Sequence, residues 1–142
     1  MSEYSKTIAV DFDGCLCTNK WPDIGDPNWI AIHELIRRRA WGDKVILWTC
    51  RTGQQLEDAV NWCMNRGLHF DAVNENLPEN IRFFGNDCRK VYANEYWDDK
   101  SVPVTAVYNA ITNDRFLGRI FEISNPAKES FVRRIIRRIR NE

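Results

Sequence analysis

Two carboxylates one residue apart, Asp11 and Asp13, follow the apolar run Ile8-Ala9-Val10 and stand just before Gly14. Acids this close repel each other, so the pair is best tolerated with a cation between them or a proton on one of them. Either outcome serves phosphoryl transfer. An ionised Asp can attack phosphorus, a protonated neighbour can give its proton to the leaving oxygen, and a divalent cation offsets repulsion between nucleophile and phosphate. An EF-hand calcium loop is excluded: counting from Asp11 puts Leu16 where that loop needs glycine and Pro22 where it needs glutamate. The plain alternative is a solvated turn with two surface acids, and the rest of the chain has to decide.

The elements around the acids favour a site. Thr7 to Val10 is short, partly β-branched and followed by a turn signal, which predicts a buried strand with Asp11 at its carboxyl end. In open α/β sheets that edge is where ligands bind. Residues 15–28 hold two prolines and little periodicity and read as a loop. A helix is expected from about Pro27, with Ile30, Ile32, Leu35 and Ile36 near one face and Arg37, Arg38 and Arg39 in its last turn. Val45 to Trp48 reads as a second strand, with Thr49-Cys50-Arg51-Thr52-Gly53 at its carboxyl end. A second helix is expected from Thr52 or Gly53 to about Asn65, turning Leu56, Ala59, Val60 and Cys63 inward, with Arg66-Gly67 as its stop. Phe70 to Val73 is a short third strand ending at Asn74, and a strand around Glu95-Tyr96-Trp97 ends in Asp98-Asp99.

Alternating strands and helices imply a parallel sheet with right-handed crossovers. The expected fold is a single doubly wound, Rossmann-like α/β domain, its sheet flanked by helices and followed by a C-terminal β-hairpin and amphipathic helix. Residues 1–100 form the expected catalytic core and residues 101–142 its extension.

In this order, Asp11-Phe12-Asp13-Gly14, Trp48-Thr49-Cys50-Arg51, Lys90 and Asp98-Asp99 resemble the four motifs of the haloacid dehalogenase (HAD) superfamily, in particular its compact hydrolases. The resemblance spans roughly residues 7 to 100. It implies a Mg2+-dependent phosphohydrolase or phosphotransferase working through an aspartyl-phosphate. Carried over by position, Asp11 is nucleophile and metal ligand, and Asp13 is general acid and base with its backbone carbonyl in the metal shell. Asp98 is a metal ligand, and Asp99 acts through water or orients its neighbours. Thr49 and the N–H of Cys50 hold the phosphoryl group, and Lys90 supplies a cation. Gly14, Arg51 and Asn74 stand beside them as substrate contacts. Asn74, Glu75, Asn76, Trp21 and Trp29 are candidate specificity contacts, and each serves equally well as a turn or packing residue. The physical account agrees with the resemblance, because Mg2+ takes a few hard oxygen ligands and keeps several waters.

Lys90 poses a geometric question. Were all eight residues from Lys90 to Asp98 strand, Lys90 would lie about 26 Å from the metal, at the wrong end of the sheet. It can serve only if residues 90–94 fold back as a loop, and Arg51, on the correct edge, is the candidate to share that role. Cys15 stands where many superfamily members have threonine. Cys15, Cys17 and Cys50 flank the expected site, yet a redox role is not expected. The roughly 35 residues between the first two motifs leave room for a loop and a helix but not for a separate cap domain, so specificity falls to loops.

The chain of 142 residues is 44% hydrophobic, enough for one domain with a sizeable core. Its 20 basic and 20 acidic residues balance, so whole-molecule charge selects no partner. Five cysteines without Cys-x-x-Cys spacing suit reduced thiols better than disulfides or zinc, and the two histidines, His33 and His69, read as structural or surface residues. No run approaches a membrane span and no apolar signal core is present, so a cytoplasmic protein without membrane contact is expected. Residues 126–142 hold six basic and two acidic side chains. Asn125-Pro126 starts an expected helix with Phe131, Val132, Ile135, Ile136 and Ile139 on one side and Arg133, Arg134, Arg137, Arg138 and Arg140 on the other. Docking on the core or on a second copy is favoured for this helix over a nucleic-acid footprint. The hairpin is expected from Val104 to Tyr108 and Phe116 to Ile123.

The functional expectation is hydrolysis of a small phosphate monoester, nucleotides weakly favoured. The alternatives are a 3′-end phosphatase on nucleic acid and a non-catalytic phosphate-binding module. A receiver-like signalling domain is disfavoured, because Asn74 occupies the third-strand end where its phospho-acceptor belongs.

Overall fold

Four short runs bounded by turn residues pair as strands in the computed structural model, which describes residues 5–106. The elements are β1 (Thr7–Val10), α1 (Trp29–Ala40), β2 (Lys44–Leu47), α2 (Gly53–Met64), β3 (Ala72–Val73), α3 (Pro78–Phe84) and β4 (Glu95–Trp97). All strand pairs are parallel, in the order β3-β2-β1-β4. The fold is α/β, a parallel sheet flanked by helices. No helix among the described residues is long and apolar enough to cross a membrane. The chain divides into two units, Met1–Lys100 and Ser101–Glu142.

Burial on both faces explains the apolar runs at residues 8–10 of β1 and 45–47 of β2. Ile8, Val10, Val45 and Leu47 pack with Ile32 and Leu35 of α1 and with Ala59 and Cys63 of α2. Ala9, Ile46 and Ala72 point the other way, against Leu77 at the head of α3 and against Val91 and Ala93. The chain steps from β1 to β2 to β3 in one direction and then crosses to β4 on the far side of β1. That reversal lies between β1 and β4, and the crevice beyond their carboxyl ends is where such sheets bind ligands.

Two local expectations are corrected and one element is added. Ile30 does not join the inward face of α1 and is 86% exposed. At 100° per residue it lies opposite the Ile32, Leu35 and Ile36 stripe. Helix α3 adds an element that periodicity does not reveal, because it buries none of its residues. Pro78 opens it and Gly85, left-handed at φ 74°, closes it. Finally, Val104 to Ala106 is a helical turn and not the start of a strand, with the Ala106 N–H donating to the Pro103 carbonyl at 2.9 Å. The rest of that hairpin and the basic helix fall outside the described residues.

The amino edge of the sheet is closed by an ion network. Glu95, the first residue of β4, accepts two bonds from Arg38 at 2.9 and 3.0 Å, one from Lys6 at 3.3 Å and one from Trp97 Nε1 at 3.1 Å. Arg38 also bonds Asp43 at 2.6 Å. Chiefly through Arg38, the Glu95 carboxyl is held down at about 2. Because the folded value lies below the unfolded one, this stabilisation is complete above about pH 4.5 and is lost as pH falls toward 2. Glu95→Gln is expected to lower stability at pH 7 by about 1–3 kcal/mol and to flatten its decline between pH 5 and 2. Urea unfolding across that range checks it, and an unchanged acid limb would overturn it.

Candidate active site at the carboxyl edge

The ends of β1, β2 and β4 are tied at one level. The Asp11 N–H donates to the Trp97 carbonyl and the Trp48 N–H to the Val10 carbonyl, both at 2.9 Å. Past Asp11 the chain turns sharply, three successive N–H groups at Cys15, Leu16 and Cys17 converging on the Phe12 carbonyl. Gly14 sits in this turn at φ 85°. A Cβ there would collide with the Asp99 carboxylate, so glycine lets that acid lie against the turn.

Asp11, Asp98 and Asp99 thereby meet, each offering an oxygen within 4.8 Å of the others. Burial pushes the Asp11 carboxyl up, and the charges of Asp98, Asp13 and Asp99 push the same way against the Phe12 N–H, which donates to Asp11 at 2.7 Å. Among the described residues no lysine or arginine is paired with any of the three. Three oxygens with unneutralised charge fit a hard divalent cation, and a bound one would reverse the upward push on Asp11.

Asp13 is placed differently. Its carboxylate is not in the acidic cluster but is gripped by Arg51, Nε at 2.8 Å and Nη2 at 2.7 Å. Arg51 is 1% exposed and also donates to the carbonyls of Pro22 and Asp23 at 3.1 and 2.7 Å. Its guanidinium lies between the rings of Phe12 and Trp21, 4.9 and 5.0 Å from their centroids. Arg51 thus commits four of its five N–H donors to Asp13 and to the first loop. The Asp13 carbonyl accepts no hydrogen bond from the described residues and stays open to a metal.

The second-motif loop is shaped by Asn74. In the left-handed conformation at φ 53°, Asn74 accepts the Thr49 N–H at 2.8 Å and donates to the Arg51 carbonyl at 3.4 Å. Asn74 thus supports the loop, and the Thr49 N–H is used up. The Thr49 hydroxyl accepts the Arg51 N–H at 3.2 Å, which leaves its own proton to donate. The Cys50 N–H has no acceptor among the described residues. Cys15 is half-buried, its thiol pushed up to about 11 by burial, and it donates to the Trp97 carbonyl at 3.6 Å. Burial and the neighbouring acids both disfavour its thiolate form.

A solved structure of a conserved protein from Bacteroides thetaiotaomicron matches this chain at 33% sequence identity and a TM-score of 0.62, covering 78% of this chain and 91% of that one. The chain belongs to the family of that conserved bacterial protein. No protein-family model and no curated protein matches it.

In this member of the family, the segment before β4 does fold back. Residues 91–93 are not strand, and they cross the Tyr96 hydroxyl, which donates to the Val91 carbonyl at 2.7 Å and accepts the Ala93 N–H at 3.2 Å. Lys90 Nζ consequently stands 5.3 Å from the Tyr96 ring centroid, over the sheet and not beyond its amino edge. Tyr96 in turn contacts Trp48 across β1 at 5.8 Å, where the small Ala9 leaves room. Sequence reasoning missed Tyr96 and the support given by Asn76, which is 3% exposed. Asn76 donates to Asp87 at 2.7 Å and to the Cys88 carbonyl at 3.0 Å, and accepts the Tyr92 N–H at 2.7 Å. An asparagine just past a strand reads as turn chemistry, and only its burial marks it as a clamp.

Gly14→Ala is expected to push the Asp99 carboxylate off the turn and weaken divalent-cation binding by about tenfold or more. Calorimetric titration with Mg2+ measures this, and unchanged affinity would show that Asp99 has no part in the cluster.

Proposed function

We propose that the chain is a Mg2+-dependent phosphohydrolase of the HAD type that cleaves a phosphate monoester through an aspartyl-phosphate. The observation that carries this reading is the meeting of Asp11, Asp98 and Asp99 at the switch point of the sheet. Asp11, Asp98, Asp99 and the Asp13 carbonyl are the groups that would hold Mg2+, whose charge would offset repulsion between carboxylate and phosphate. Thr49 Oγ1, the Cys50 N–H and the Lys90 ammonium are the donors for the non-bridging phosphoryl oxygens.

An Asp11 oxygen attacks phosphorus, the bond from phosphorus to the leaving oxygen breaks, and that oxygen takes the proton that Asp13 must carry into the step on one of its oxygens while both keep their Arg51 partners. A water then gives a proton back to Asp13 and attacks the phosphorus of the aspartyl-phosphate, restoring Asp11 and releasing phosphate. Each Asp13 oxygen accepts one Arg51 N–H, which leaves a lone pair on each for this proton traffic. Five free thiols suit a reducing compartment, so the cytoplasm is the proposed location.

A panel of phosphate esters assayed for phosphate release with and without Mg2+ tests the proposal. Steady turnover that stops with a chelator and returns with Mg2+ is expected. Binding of phosphate esters without turnover would favour the phosphate-binding module instead.

A further inference from the structure

We infer that the groove beside Lys90 receives the leaving group, and that it is built for a planar heteroaromatic ring, which makes the substrate a nucleoside monophosphate or an ester of that shape. The inference rests on the phosphohydrolase reading and names the substrate class of the same site.

The groove has a volume of about 380 Å³, within the range of small-molecule sites. Its walls include Phe84, Tyr92 and Tyr96, with Val91 between them, and Asn80 and Lys90 add polar groups. Phe84, Tyr92 and Tyr96 are 64%, 53% and 37% exposed, a concentration of aromatic surface that otherwise faces water. The Asn80 side-chain amide and the Tyr92 hydroxyl have no hydrogen-bond partner among the described residues, and Lys90 has no acidic partner there. Aromatic faces with an unused amide and hydroxyl suit a flat ring with donors and acceptors on its edge. A sugar or short alkyl group would leave the aromatic walls unused.

The groove is also held in shape, and its Tyr96 wall belongs to the strand that runs into the acids. The buried amide of Asn76 joins the start of α3 to residues 87–92 through bonds to Asp87, Cys88 and Tyr92, so the walls stand preformed. Tyr96 is two residues before Asp98, and two residues along a strand span about 7 Å with side chains returning to the same face. That spacing suits a ring against Tyr96 and its phosphate at the acidic cluster. No carboxylate lines the groove, and Lys90 is the one cation among its lining residues. An anionic ligand therefore meets charge complementarity there and none on the acidic side until a cation is bound.

Adenosine 5′-monophosphate and ribose 5-phosphate share phosphate and ribose and differ by the ring, so their binding isolates the groove. In calorimetric titrations of the full chain carrying Asp11→Asn, with Mg2+ present, the adenosine compound is expected to bind at least about tenfold tighter. Adding Asn80→Ala and Tyr92→Ala should bring the two ligands within about twofold while leaving ribose 5-phosphate unchanged. Tyr92→Phe, which keeps the ring, should retain most of the preference. Equal affinities in the parent, or a preference that survives the double substitution, would overturn the inference. So would a 3′-phosphorylated oligonucleotide binding more tightly with no response to the groove substitutions. If the ring preference holds but the unsubstituted chain hydrolyses no phosphate ester, the hydrolase reading fails alone. Turnover without ring preference sinks only the groove.

Discussion

Asp11→Asn is expected to abolish phosphate release, lowering kcat by at least about 1000-fold, while the protein stays folded. The substitution keeps the size of the side chain and its acceptor for the Phe12 N–H, but removes the charged oxygen that attacks phosphorus. It also removes one of three acids whose mutual repulsion is relieved only by a cation, so the unfolding midpoint without metal should not fall and is expected to rise slightly. Activity and stability therefore move in opposite directions, which separates loss of the nucleophile from misfolding. Steady-state phosphate release with Mg2+ and a thermal melt on the same sample check both. Retained activity within about tenfold would remove Asp11 as the nucleophile. Loss of activity with a collapsed melt would assign it a structural role instead.

Much of what positions these acids could be read from the sequence, for reasons that are local. β1 runs from Thr7 to Val10 as expected and β4 covers Glu95 to Trp97, because each is a short apolar or aromatic run cut off by acids that cannot continue into a buried sheet. Once both strands are parallel neighbours, Asp11 and Asp98 must arrive at the same edge although 87 positions separate them. What could not be read depends on partners remote in sequence or on burial. Ile30 is as apolar as Ile32, and only the phase of the helix turns it outward. Helix α3 carries caps but no buried stripe. Asn74 and Asn76 both look like turn residues, yet one supports the second-motif loop and the other clamps the groove. Arg51 is the clearest case: an arginine at a ligand-binding edge reads as a phosphate contact, until Asp13 and the carbonyls of Pro22 and Asp23 take four of its five N–H donors.

Arg51→Met should cost about 3–5 kcal/mol of stability, the largest loss expected from any single substitution in the described residues outside the apolar core. The methionine replaces the hydrophobic bulk between Phe12 and Trp21 but none of the four hydrogen bonds, so the Asp13 carboxylate loses both its partners while the carbonyls of the exposed Pro22 and Asp23 turn to water. The Asp13 side chain is only 19% exposed, and water can therefore repair little of the deficit. Adding Asp13→Asn to Arg51→Met should recover part of the loss, because an amide is less costly to leave half-paired than a charge. Arg51→Lys keeps the charge but cannot span Asp13 and two loop carbonyls at once, so it should fall between. Urea unfolding of the three variants measures the series. A loss below about 1 kcal/mol for Arg51→Met, joined to a raised KM with stability intact, would return Arg51 to the phosphate-binding role that its position in the sequence first suggests. The expected order, with methionine worst and the double substitution partly restored, follows only if the guanidinium acts as the fastening between the first loop, the second-motif loop and Asp13.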